Sequence, residues 1–264
     1  MPCKKKSMNR LKFLPCPFYF FYIFTLFFIL IIQGCAPLRP TTDPERDKKA
    51  LIFAKKARLY NQHILSSKGT GWAILETDKK YEKLKIAWAV VFPDKIRITF
   101  LISANPIETI IATGKKITFI SHTGKHKKHS YQSNNPDMKK YIHVPVRMSE
   151  IILLLLGRIP VKKIDDAYFL PSDQTLSTIV LRQKKKSVPQ YLKFNDKQIL
   201  HSLWSKNYKK QLIYQLMIKK YKTFTYETIP AKLEITDNNN RKITLEITNF
   251  ISNPPIKKSV FLVQ

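Results

Sequence analysis

Glycine is scarce in this sequence. Six glycines in 264 residues leave little material for phosphate-cradling loops, and neither G-x-x-x-x-G-K-[ST] nor G-x-G-x-x-G occurs. A nucleotide-binding α/β enzyme is excluded on that ground. Acidic residues are few as well: 18 Asp and Glu stand against 47 Lys and Arg, for a formal net charge of +29. The three cysteines, Cys3, Cys16 and Cys35, all precede residue 36, so everything beyond that point is without thiols and must be stabilised by a core rather than by disulfides. H-E-x-x-H, G-x-S-x-G and S-x-x-K are absent too, and no catalytic residue, cofactor or enzymatic activity is expected. What the chain does have is a 44% hydrophobic composition, enough for a sizeable buried interior.

The first forty residues read as a targeting segment rather than as part of the fold. Lys4, Lys5, Lys6, Arg10 and Lys12 form a basic start, and Phe18 to Ile32 is apolar throughout except for Thr25. Fifteen residues match the h-region of a signal peptide and fall short of the roughly 20 that a transmembrane helix needs. Ile32-Gln33-Gly34-Cys35 then resembles a bacterial lipobox. That resemblance implies cleavage before Cys35, diacylation of its thiol and acylation of the new amino terminus. Several acyl chains anchor where one does not, because each buried methylene contributes about 0.8 kcal/mol. The expected organisation is a signal peptide over 1–34, a lipidated cysteine and Pro-rich tether over 35–42, and one domain over 43–264. Ala36 after the lipid site, rather than Asp, resembles an outer-membrane address facing the periplasm.

Beyond the tether, Asp43 and Pro44 read as the N-cap and first residue of a helix, with Phe53, Ala57, Tyr60 and Ile64 on one apolar stripe that ends near Ser67. The period then changes to two. Leu84, Ile86, Trp88, Val90 and Phe92 alternate with smaller or charged neighbours. Pro93-Asp94 turns the chain, and Ile96, Ile98, Phe100 and Ile102 alternate again. Further strands are expected at 107–113, 116–122, 127–131, 178–182 and 190–194, with a hairpin of 232–236 and 242–250 around Asp237 to Asn240. Ser149 to Leu156 interrupts this rhythm with six consecutive apolar residues followed by Gly157 and Pro160, the pattern of a short helix that must be buried or lie over something apolar. The fold class expected is mainly β (α+β): a curved antiparallel sheet forming an unclosed barrel, with an N-terminal helix and a short apolar lid helix. A sheet of this kind can enclose a ligand cavity.

Three stretches resemble the LolA/LolB-like lipoprotein carriers, on the side of the outer-membrane receptor LolB. They are Lys95-Ile96-Arg97-Ile98 running into Ala104-Asn105-Pro106-Ile107; Val144-Pro145 leading to Leu154-Leu155-Leu156-Gly157-Arg158-Ile159-Pro160; and Leu233 to Asp237 with Arg241-Lys242-Ile243 and the closing strand to Phe250. The sequence departs from that family at Glu108, where the family has glycine. The resemblance implies an apolar cavity that takes up acyl chains of lipoproteins or other lipid, received from a periplasmic carrier protein, and an apolar loop residue, here Ile107, that inserts into the membrane. Trp72, Trp88, Ile98, Phe100, Ile102, Leu153 and Leu155 are the expected lining. The alternative is a filled sheet serving as an envelope scaffold that binds a protein or anionic lipid through its basic face.

Other candidate chemistry is weaker. His122, His126 and His129 crowd one turn, but Lys125, Lys127 and Lys128 beside them repel a cation, so no metal site is expected. The net charge stays at +24 after the five cations of the signal segment are removed with it. The basic runs 115–128, 184–186 and 206–222 resemble nucleic-acid footprints by charge alone. Export takes nucleic acid out of reach, and leaves an anionic lipid surface, an acidic partner or a lysine-rich composition to account for them. The lipobox reading has a direct check: Cys35→Ser is expected to abolish globomycin-sensitive processing and to release the protein from membranes on fractionation, and a variant still cleaved and membrane-bound would contradict it.

Overall fold

The computed structural model describes residues 43–183 and 188–263; the signal segment, Cys35 and the tether lie outside them. Alternation of apolar and polar residues produces thirteen strands among the described residues: β1 (Ser66–Thr77), β2 (Lys80–Val91), β3 (Lys95–Ile102), β4 (Asn105–Thr113), β5 (Lys116–Ser121), β6 (His129–Gln132), β7 (Asp166–Phe169), β8 (Thr178–Arg182), β9 (Gln190–Phe194), β10 (Leu200–Lys206), β11 (Leu212–Phe224), β12 (Glu227–Asp237) and β13 (Lys242–Ser252). All pair antiparallel in one sheet, in the order β6-β5-β4-β3-β2-β1-β13-β12-β11-β10-β9-β8-β7. The sheet curves without closing, so β6 and β7, each four residues long, are its two free edges. The expected mainly β, unclosed architecture is what the chain adopts.

One strand lies where the sequence shows only a basic stretch. β11 turns Tyr214, Leu216 and Ile218 inward into the core, and the dense lysines around them hide that alternation. The β3–β4 connection is also tighter than expected. Ser103 and Ala104, both at positive φ, make a two-residue turn, so Pro106 and Ile107 belong to β4 and not to a protruding loop.

Helix α1 (Pro44–Leu59) starts as expected, with the Asp43 carboxylate accepting from the Glu45 N–H at 3.0 Å and Pro44 at its first position. It ends earlier, at Leu59, and its buried stripe is Ala50, Ala54 and Ala57 rather than the larger residues. Small side chains let it come close to β7 and β8, where half-buried Phe53 meets Phe169 and Phe194 at ring-centroid distances of 6.4 and 5.9 Å. A single-turn α2 (Lys139–Ile142) precedes α3 (Met148–Leu155), the short apolar helix.

Both ends of α3 are fastened. At its start the Glu150 carboxylate accepts from the Arg147 N–H at 2.8 Å, and Asn135 accepts from the Ser149 N–H at 3.0 Å, with Arg147 as the N-cap. At its end Gly157 adopts φ +69, Gly157 N–H donates to Leu154 and Arg158 N–H to Leu153, which is the double hydrogen-bond pattern of a Schellman stop. A side chain at Gly157 would strike Ile229, and the φ alone favours glycine there. Leu155 offers its carbonyl to Ser67 Oγ–H at 2.7 Å, and Ser67 Oγ in turn accepts from the Trp88 indole N–H at 3.1 Å.

Arg158 completes the fastening. Its buried guanidinium donates to the carbonyls of Asn61 (3.1 Å), Gln62 and Ile64 (2.6 Å) in the α1–β1 loop, the first of which also accepts from the Ile64 N–H at 3.0 Å, and it stacks on Phe92 at 4.7 Å. Burial pulls its pKa below the ordinary arginine value, which leaves it charged at any physiological pH. Asn61 returns the contact, donating to the Gly157 carbonyl at 2.8 Å. Arg158→Ala removes three hydrogen bonds, taking their guanidinium donor from the Gln62 and Ile64 carbonyls, and is expected to lower stability by about 3 kcal/mol in chemical denaturation. Arg158→Lys should recover only a minor part, because an ammonium cannot span the three acceptors.

Candidate functional site: an apolar slot beneath α3

The interior is divided into two buried clusters. One gathers α1 with β7 to β12 and includes Leu154; the other gathers β1 to β5 with β12 and β13 and includes Met148, Ile152 and Leu155. Between them, under α3 and α2, lies an open cavity of about 480 Å³. Its walls come from β1 to β5 (Ala73, Leu84, Ile86, Ile98, Phe100, Ile110, Phe119), from β12 and β13 (Ile235, Ile243, Leu245) and from the roof (Met138, Tyr141, Ile142, Met148, Ile151, Leu154, Leu155). Helical spacing explains the roof: Met148, Ile151 and Leu155 fall at i, i+3 and i+7 on one face, while fully buried Ile152 and Leu156 face the core. Tyr141 is held by stacking on Phe119 at 4.2 Å.

Of the expected lining residues, Ile98, Phe100, Ile102 and Leu155 lie on the wall, and Ile107 joins them at the mouth. Three do not. Trp72 points to the opposite, outer face of β1, where Lys83 sits 4.8 Å over its ring; the inward residues of that strand are Gly69, Gly71 and Ala73. Trp88 faces inward but is packed into the core beside the slot, its ring lying over Gly69 so closely that a Cβ there would be 2.3 Å from Trp88 Cζ2. Small residues on β1 thus exist to admit this one large neighbour, which is why size misleads about facing. Leu153 is half-buried away from the slot, on the side of α3 opposite Met148 and Leu155. Ile107 is half-buried on β4 and lines the mouth, instead of standing out from a loop, because the turn ahead of it is so short. Cys35 lies outside the described residues.

The mouth, unlike the walls, is polar. Lys80 and Glu82 pair at 2.7 Å on β2, Glu108 and His126 at 3.0 Å across the β4 and β5 ends, and Thr123, Lys125 and His143 complete the rim. Of these rim residues the sequence singles out only Glu108, Lys125 and His126, and none of them as part of a rim. Of the three crowded histidines, His122 goes to the outer face and bonds Thr109 at 2.9 Å, while His126 and His129 stay in edge contact at 5.1 Å, the first bonding Glu108 and the second stacking on Phe119. No group of three or more metal-ligating side chains occurs among the described residues. A dry slot with a charged lip suits an amphiphile, its tail inside and its head at the rim.

The comparisons with known proteins agree on the architecture. No family model and no curated protein matches the sequence. Among solved structures, a LolA-superfamily protein from Nitrosomonas europaea superposes with a TM-score of 0.53 at 10% identity, covering 81% of this chain and 97% of that one. A domain from Vibrio parahaemolyticus, assigned to outer membrane lipoprotein sorting, gives 0.52 at 12% identity over 81% and 97%. A DUF1329-family protein from Desulfovibrio piger gives 0.51 at 7% over 82% and 97%. The fold is LolA-like. At these identities the likeness concerns the fold, and its LolB-like refinement is taken up with the function below.

Within the LolA-like slot, the Glu108–His126 pair makes the rim sensitive to pH. The Lys127 carbonyl, 2.9 Å from Nδ1, and then the Glu108 carboxylate raise the His126 pKa above its ordinary 6.5. The charged contact is therefore complete at low pH and is lost as pH rises through the raised value. In an NMR titration, His126 is expected to titrate above 6.5 and Glu108→Gln to move its midpoint down.

Proposed function

We propose that this protein is a non-catalytic, membrane-anchored lipoprotein facing the periplasm, which takes acyl chains into the slot and helps receive or insert lipoproteins at the outer membrane. The observation that carries the reading is the slot itself: an apolar space of about 480 Å³ on the inner face of an unclosed sheet, roofed by a fastened helix and lipped with charge. Its neighbours in fold include proteins of the LolA superfamily and one assigned to lipoprotein sorting, and the three LolB-like sequence stretches fall on β3–β4, α3 and β12–β13 around this same slot.

The mechanism is partitioning. A methylene group takes up about the same ~30 Å³ as a water molecule, so the slot holds roughly sixteen of them, the length of one common fatty acyl chain. A lipoprotein with more chains would present them singly or would have to part α2 and α3 from the sheet. Each methylene transferred from water gains about 0.8 kcal/mol, while transfer between slot and bilayer is nearly balanced, so a chain can be handed from a carrier protein through the slot to a membrane without chemical work.

The test is saturable binding of a fluorescent fatty acyl probe to the chain from Thr42 onward, which contains both cores as one compact unit. Unlabelled competitors should gain about fourfold in affinity per added methylene up to roughly sixteen carbons and then level off. Leu155→Trp, which fills the roof, should weaken probe binding at least tenfold with little change in unfolding. An absence of saturable binding in the unaltered protein would overturn the proposal and leave the basic-faced scaffold.

A further inference from the structure

The net positive charge is not spread evenly over the sheet. Because β1 is antiparallel to both β2 and β13, the odd connections among β1 to β6 share one end of the sheet with the even connections among β7 to β13. The connections β1–β2, β3–β4, β5–β6, β10–β11 and β12–β13 gather at the mouth of the slot. The connections β2–β3, β4–β5, β7–β8, β9–β10 and β11–β12 gather at the opposite end.

At the mouth, the turns 78–79, 122–128 and 207–211 carry exposed Lys79, Lys125, Lys127, Lys209 and Lys210, with Asp78 as their acid. At the opposite end, Lys115 and Lys197 are offset by Asp94, Asp173 and Asp196. The described connections at one end are thus strongly cationic and those at the other close to neutral. The cationic end also exposes Tyr81, Ile102 and Tyr208, at 65%, 54% and 72% of their surfaces. Ile102 does so while lining the slot.

We infer that the mouth end is a docking surface for an anionic lipid bilayer. Lysines on hairpin tips reach anionic headgroups with little loss of hydration, and tyrosines with an exposed isoleucine among them suit the headgroup boundary, where a ring or alkyl group is half in water. An acidic protein would be matched by the lysines alone. The apolar residues on the rim, continuous with a slot of acyl-like walls, favour the bilayer. Docked this way, the slot opens directly onto the membrane, so a chain leaving it does not cross water. Only that direction of transfer rests on the acyl-chain reading; the docking stands without it.

Sedimentation with vesicles tests it, using the chain from Thr42 onward. Binding is expected to vesicles containing phosphatidylglycerol, to be far weaker with phosphatidylcholine alone, and to fall as salt is raised. Each basic residue at an anionic surface strengthens partitioning about fivefold, so Lys127→Glu with Lys209→Glu should weaken binding at least thirtyfold. The matched pair Lys115→Glu with Lys197→Glu changes net charge equally and should cost less than about threefold. The chain from Thr42 has no cysteine, so Ile102→Cys and Tyr226→Cys can each carry a polarity-sensitive dye, Tyr226 being exposed in the β11–β12 turn of the opposite end. The dye at 102 should shift to the blue on anionic vesicles and that at 226 should not.

Equal losses from the two charge-reversed pairs, or a blue shift at 226, would overturn the proposal. Binding to an acidic polypeptide with none to anionic vesicles would also overturn it, in favour of a protein partner. The fluorescent acyl probe, measured in the Lys127/Lys209 variant without vesicles, should bind unchanged, since neither residue lines the slot. Loss of vesicle binding with the probe intact thus separates docking from the slot.

Discussion

An apolar face on a sheet that stops short of closing has to be covered, and that requirement organises the molecule. A closed barrel would fill its own interior. Here the strands bend round far enough to make a concave face but leave the covering to helices, so α1 lies over the β7–β9 side and α3 lies over the middle. Ala50, Ala54 and Ala57 let α1 settle closely, which closes its side completely. α3 is too short to do the same, and the space it leaves is the slot. The cavity is thus the residue of incomplete coverage, not a hole cut into a finished core.

Such a roof would be unstable without fastening, since an eight-residue helix does not hold itself in water. Its stability comes from outside: Arg158 collecting loop carbonyls, Ser67 taking the carbonyl of Leu155, and Tyr214 donating to Glu150 at 2.6 Å from β11. Burial and then the Glu150 charge push the Tyr214 phenol well above its ordinary pKa, so it remains a donor at neutral pH. These contacts draw on β1, β11 and the α1–β1 loop together. The roof is therefore tied to both halves of the sheet, and whatever enters the slot does so beneath a cover that both halves share.

The strands with clean alternation, β2, β3 and β13, were legible in the sequence, as were the glycine that stops α3 and the Asp-Pro start of α1. The harder parts share a cause: side-chain size and charge were poor guides to facing. Trp72 reads as an inner residue because it is large, yet β1 keeps small residues inside to admit Trp88 from its neighbour. β11 reads as a basic tract because its outward lysines outnumber the inward Tyr214, Leu216 and Ile218. The tight turn at Ser103 and Ala104 has no glycine to announce its positive φ, which turned Ile107 from an expected loop tip into a wall residue. The rim pair Glu108–His126 was invisible for a plainer reason, since it joins β4 to the β5–β6 connection and only the fold brings the two together.

Leaving a barrel open creates two strand edges whose N–H and C=O groups can recruit another chain, the usual route by which β-proteins stick to one another. Here the edge strands β6 and β7 are four residues each, against eight to thirteen for β1 to β4 and β11 to β13. A four-residue ladder offers too few hydrogen bonds to template an intruding strand, and α1 lies across β7 besides. The brevity of these two strands lets the sheet stay open to a ligand while remaining closed to its own kind.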